Sequence, residues 1–343
     1  MTELSPNGEF NALLEYLQRS RAFDFTQYKP ASLMRRINRR MQMVGVEGYE
    51  NYQDYLEVHP EEFGLLFDTI LINVTAFFRD PEAWQTLAAE VIPQITRRGR
   101  ADDLIRCWSA GCASGQEAYT LAMLLAEAMP PQEFRDRVKV YATDIDEEAL
   151  NQARHAIYTA EQVQDVPAPL LEKYFDPING SSYIFDQEMR RAVIFGRNDL
   201  LRDAPIGRLQ LIVCRNTLMY FNADAQNQIL ARFHFALNDG GFLFLGKAES
   251  SLSQSKSYFP LSVQQRIFVK LPSPGTRGRA LVAPAVLNAN NTGNQWLNDI
   301  QLGDAAFDAG PTGQIVVDSK GVLVLANQLA RSLFGLHMRD IGR

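Results

Sequence analysis

The stretch IRCWSAGCASGQE, residues 105–117, decides how this 343-residue chain folds. A short apolar run ends in small residues and two glycines, Gly111 and Gly115, and helical spacing takes over near Gln116 or Glu117. That order is a buried strand entering a helix through a tight loop. Three more runs of the same kind follow: VKVYATDID (138–146), LQLIVCRN (209–216) and GGFLFLG (240–246). EAYTLAMLLAEAM (117–129) and EEALNQARHAIY (147–158) read as helices between them. Such alternation predicts parallel strands joined by right-handed crossovers, a layered α/β sheet.

Upstream, apolar residues fall at helical spacing, as in Leu13, Leu14 and Leu17, then Leu33, Met34, Ile37 and Met41. Residues 1–91 are therefore expected to form a helical subdomain, and residues 92–271 the sheet domain. The rhythm breaks over 158–193, where Pro167, Pro169, Pro177 and the Asn179-Gly180 pair predict an inserted helix and small hairpin. Residues 272–303 have linker composition, and residues 304–343 restart with two β-like runs and a helical QLARSLFGL.

With 46% hydrophobic and 22% charged residues, the composition excludes a disordered, collagen-like or coiled-coil chain. A net charge of −6 gives no global cationic field for nucleic acid. The charge is uneven, however: residues 19–40 carry seven basic residues and one acid, Asp24. Within them, Arg35 and Arg39, and Arg36 and Arg40, stand at i,i+4 on one helix, a cationic face that is either a docking surface or simply solvated. Three cysteines without CxxC spacing and four scattered histidines predict no disulfide framework and no metal centre. The absence of a leader and of a long apolar run predicts a soluble, cytoplasmic protein without membrane insertion.

In an open α/β sheet, ligands bind where strand ends meet helix starts, and the loop at Gly111 predicts a nucleotide-type ligand or, alternatively, only a tight turn. The spacing is GxxxG, with neither GxGxxG nor GxxxxGK[ST], which disfavours dinucleotide oxidoreductase and P-loop chemistry. Glu117, an anion at the helix start, repels pyrophosphate and suits an ammonium or sulfonium. Asp144 ends the next strand where ribose hydroxyls call for a carboxylate, with Asp146 as N-cap of the helix behind it. Asn198 and Asp199, and Arg215 and Asn216, mark two further strand edges and serve either turn chemistry or the ligand.

Together NVTAFFRD (73–80), WSAGCASGQEAY (108–119), ATDID (142–146), NDLL (198–201), CRNTLMYF (214–221) and GGFLFLG resemble the CheR family of chemotaxis-receptor methyltransferases. The resemblance implies a class I, Rossmann-like methyltransferase fold with a helical N-terminal subdomain and a small β insertion. Its cofactor would be S-adenosylmethionine, leaving S-adenosylhomocysteine. It further implies that Asn73, Thr75 and Arg79 hold the methionine part, that Glu117 meets its ammonium group and that Asp144 meets the ribose. Asn198 and Asp199 would lie at the adenine, Arg215 and Asn216 at the fourth strand edge, and Tyr220 near the transferred methyl, with Arg79 as the second catalytic residue. Arg97 and Arg98 lie late for the substrate-side arginine, which stays unassigned. Arg35, Arg36, Arg39 and Arg40 would dock the acidic helical bundle of a methyl-accepting receptor, where an in-line transfer to a glutamate needs no strong base. A cofactor-sensing module without catalysis is the alternative. The tail resembles the opening of a PAS domain.

Overall fold

A computed structural model describes residues 6–21, 23–71, 73–97, 103–249, 257–271, 312, 314–317, 323–326 and 328–334. The chain opens with α1 (Pro6–Arg21), α2 (Pro30–Val44), α3 (Tyr49–Val58) and α4 (Glu62–Ile70). In α2, Leu33, Ile37 and Met41 recur every fourth residue and are buried. The helix stops at Gly45, whose left-handed φ of 71° lets its N–H turn back to Gln42 and Met41 carbonyls.

After residues 73–79 come α5 (Pro81–Thr86), a π turn (Leu87–Val91) and α6 (Ile92–Arg97). The α/β part follows as β1 (Ile105–Ala110), α7 (Gln116–Glu127), α8 (Pro131–Arg137), β2 (Val138–Asp144) and α9 (Glu147–His155). The insertion supplies β3 (Ile157–Thr159), α10 (Ala168–Tyr174), β4 (Phe175–Ile178), β5 (Ser182–Phe185) and α11 (Gln187–Arg190). β6 (Val193–Arg197), β7 (Leu209–Cys214), α12 (Ala223–Ala236), β8 (Leu237–Leu245), β9 (Tyr258–Ser262) and β10 (Ile267–Lys270) complete the sheet. Beyond the predicted linker, which lies outside the described residues, β11 (Ile315–Val317) pairs antiparallel with β12 (Leu323–Ala326) before α13 (Gln328–Phe334).

The main sheet has the order β6-β2-β1-β7-β8-β10-β9. Pairs from β6 to β8 are parallel, and β10 is antiparallel to both β8 and β9. The chain leaves β1 toward β2 on one side and reaches β7 on the other, so the crevice at the β1 carboxyl end is a topological switch point. Side chains alternate between two cores. Cys107, Leu211, Val213, Phe242 and Phe244 face one, together with Phe77, Trp84, Leu87 and Val91. Trp108, Ile212, Cys214 and Leu243 face the other, with α12 and the N-terminal helices. Cover on both faces explains why the strands read as continuous apolar runs.

The insertion forms a separate sheet of order β3-β5-β4. Its β4–β5 hairpin turns at Asn179 and Gly180, both at positive φ, as the sequence predicts. The helical domain meets the α/β part at an isolated antiparallel bridge between Tyr28 and Phe221, whose rings lie 4.7 Å apart. The Lys29 N–H donates to the Tyr220 carbonyl at 2.9 Å. Among the described residues no helix is long and apolar enough to cross a membrane.

Candidate active site

The carboxyl ends of β1, β2, β6 and β7 open into one cavity, covered by residues 73–79. Its lining brings together Asn73, Thr75, Arg79, Gly111, Glu117, Asp144, Asn198, Asp199, Arg215, Asn216 and Tyr220. Gly111 sits at φ 80°, and a Cβ there would lie 2.3 Å from Thr217 Oγ1. Only glycine lets the β1 loop close on the β7 loop, so the residue shapes the cavity wall.

Glu117 lies one residue into α7, 7% exposed, and accepts a hydrogen bond from Ser109 Oγ at 2.8 Å. Burial pushes its carboxyl up to about 7, against the pull of Arg215 and of the Ser109 bond. A buried acid so little stabilised is set up for a cation. Asp144 is raised as well, again by burial, although the N–H groups of Ala113 and Asp146 donate to its two oxygens at 2.8 and 3.0 Å. A carboxylate has about four acceptor sites, so two remain for hydroxyls. Asp146 is the N-cap of α9, as read from sequence, accepting from Glu148 and Ala149 N–H groups. Its second oxygen takes the Asn73 amide at 2.5 Å, so Asn73 also latches the covering segment to α9.

Arg215 clamps the other end of that segment. Its guanidinium donates to the Arg79 carbonyl at 2.8 Å and to Asp80 Oδ2 at 2.6 Å, between the rings of Trp84 and Phe244. Lys247 holds the second Asp80 oxygen at 3.1 Å. The Arg79 side chain donates to the Val74 carbonyl at 3.1 Å.

The cationic face of α2 needs correction. Arg35 and Arg39 are exposed, but Arg36 is buried and donates to the Ile70 carbonyl of α4. Arg40, partly buried, makes a two-pronged ion pair with buried Glu62, at 2.5 and 2.6 Å. Their partners lie 34 and 22 residues away, so helical spacing alone could not show that these arginines turn inward. Arg36 instead carries its guanidinium 4.9 Å above the Tyr220 ring. The cavity lining includes neither Arg97 nor any other residue of α6.

Sequence reasoning missed Arg36 at this position, Tyr28 on the pocket wall, and Glu249. For Glu249 there was a usable signal, an acid three residues past the glycine that ends a buried strand.

The parallel sheet with its antiparallel edge, opening at a switch-point crevice lined by Glu117 and Asp144, is the fold of a class I, Rossmann-like methyltransferase. Residues 73–268 match the CheR methyltransferase SAM-binding domain, and residues 8–71 the CheR methyltransferase all-alpha domain. The chain belongs to the CheR methyltransferase family, and S-adenosylmethionine is its cofactor. It is 36% identical over 268 residues, 78% of its length, to an uncharacterised 104.1 kDa protein of Rhodobacter capsulatus, and spans 28% of that protein. It is 31% identical to chemotaxis protein methyltransferase 2 of Vibrio cholerae, covering 73% of this chain and 88% of that one. Against the chemotaxis protein methyltransferase of Listeria innocua the identity is 32%, over 69% and 88% of the two chains. The residues suit the cofactor: Asn198 Oδ1 and Asn216 Oδ1 are buried on the cavity wall without a partner among the described residues, beside Glu117, suited to a cation, and Asp144, with acceptor sites left for hydroxyls.

Proposed function

We propose that this protein methylates glutamate side chains on the cytoplasmic helical bundle of chemoreceptors. One observation carries the reading: a single cavity brings Glu117 and Asp144 together with Tyr220, whose ring is packed from outside the lining by the Arg36 guanidinium. When bound, S-adenosylmethionine supplies a methyl group on a sulfonium, already an excellent leaving group. Glu117 would meet its ammonium, Asp144 its ribose, Asn198 and Asp199 its adenine side, and Asn73, Thr75 and Arg79 its methionine end. Arg215 and Asn216 hold the wall between them.

A glutamate carboxylate is ionised at neutral pH, so no residue has to remove a proton from it. Positioning is then the main contribution of the chain. Arg36, which does not line the cavity, donates to the Ile70 carbonyl and packs over the Tyr220 ring, so it fixes that ring in place. The Tyr220 hydroxyl, on the cavity wall, would offset part of the cost of taking the substrate carboxylate out of water. Tyr220→Phe is expected to lower kcat on the order of tenfold, through lost positioning of the carboxylate for in-line attack. Titration with S-adenosylhomocysteine should find affinity unchanged, and a variant with wild-type kcat would remove Tyr220 from the reaction.

Arg35 and Arg39 remain the exposed cations of α2 and fit an acidic receptor helix. Reversing both to Glu is expected to cut kcat/KM on receptor on the order of tenfold. Cofactor affinity should stay as it was. The antiparallel pair β11 and β12 followed by α13 supports reading the tail as a PAS-like opening that would couple methylation to a sensory input.

The decisive assay incubates the protein with methyl-labelled cofactor and receptor fragments. The reading expects base-labile label on glutamate. Cofactor binding without any transfer would favour the non-catalytic sensing module.

A further inference from the structure

Glu249 sits in the loop after β8, 3% exposed, and takes no part in the chemistry described above. Its Oε1 accepts the Thr217 N–H at 2.8 Å. Thr217 stands at the N-cap of the short 3-10 turn Leu218–Tyr220 and makes no side-chain cap of its own. The first N–H groups of any helical turn lack partners within it, and a carboxylate is a strong acceptor for them. The Leu218 and Gly246 N–H groups lie near enough to favour its charged form, although Oε2 completes no hydrogen bond among the described residues. The fit is tight: a Cβ on Gly246 would lie 2.4 Å from Glu249 Oε2 and 2.8 Å from the Asn216 N. The same carboxylate helps balance the charge of buried Arg215, the residue that clamps the covering segment.

We propose that Glu249 is a positioning residue for methyl transfer, capping the turn that carries Tyr220 and fixing the Asn216–Thr217 wall beside it. The proposal rests on the role given to Tyr220 above. Burial of a charge at this point is costly unless the N–H groups it collects are needed. An amide at the same place would turn its own donor toward those N–H groups or lose one of them, so Glu249→Gln alters the cap while keeping the shape.

Two measurements on the full chain decide it. Amide hydrogen exchange at residues 217–220 should be about tenfold faster or more in Glu249→Gln and near wild type in Glu249→Asp, with the central strands unchanged in both. Unchanged exchange in the Gln variant overturns the cap whether or not receptors are the substrate. In turnover, Glu249→Gln should lower kcat about tenfold, with S-adenosylhomocysteine affinity within roughly threefold of wild type. In a Tyr220→Phe background the same change should have little further effect, because both act through one group. An equal loss in both backgrounds, or affinity falling in step with kcat, overturns the positioning role. A wild-type protein that labels no receptor glutamate would instead count against the proposed substrate, leaving the exchange result to judge Glu249.

Discussion

Asp144→Ala is expected to weaken S-adenosylhomocysteine binding by roughly 100-fold or more, since a hydrogen bond to a charged group contributes about 1.5–3 kcal/mol and two are lost. The carboxylate does two jobs at once. Toward the protein it accepts the Ala113 and Asp146 N–H groups, which ties the glycine loop to the start of α9. Toward the cavity it keeps two acceptor sites for vicinal hydroxyls. Alanine removes both, so the loop loosens and the sugar loses its anchor. Asp144→Asn retains one acceptor oxygen and should fall between the two. Calorimetric titration checks the series, and an alanine variant within threefold of wild type would place the ribose elsewhere.

The second large effect is on stability. Arg40→Ala is expected to destabilise the helical domain by about 2–3 kcal/mol, below the usual cost of breaking a fully buried ion pair because Arg40 is partly exposed. Glu62 would be left at 3% exposure with only the Tyr52 hydroxyl, now 2.9 Å away, to face its charge. Two apolar residues of similar size, Arg40→Met with Glu62→Leu, should recover most of the loss. Urea unfolding followed by helical circular dichroism measures both variants. A loss under about 1 kcal/mol in the single variant would mean that the pair behaves as an exposed one.

What the sequence disclosed and what it hid divide along a physical line. Strands buried on both faces announce themselves as apolar runs, and the small-residue loop at Gly111 and the acids after β1 and β2 mark a ligand crevice by local chemistry alone. Partners distant in sequence do not show. Arg36 and Arg40 read as a solvated stripe because Ile70 and Glu62 complete them from α4. The helices at 81–97 have the same period as those before them, yet Trp84, Leu87 and Val91 join the sheet's core. Periodicity shows that a helix has an apolar face, not which core receives it. Glu249 carried a local signal, but its partner Thr217 belongs to a different strand's loop, so its role did not show.

The most direct measurement is calorimetry of S-adenosylhomocysteine binding at pH 6 and pH 8, in buffers of different ionisation enthalpy. Burial holds the unliganded Glu117 carboxyl at about 7, and an ammonium beside it favours the charged form. Binding below that value must therefore release a proton, and affinity should be roughly tenfold weaker at pH 6 than at pH 8, with one ligand per chain. In Glu117→Gln the pH dependence should vanish and binding be weak throughout. No binding at either pH, or equal affinity at both without proton release, would contradict a cavity whose buried acid receives the ligand's cation.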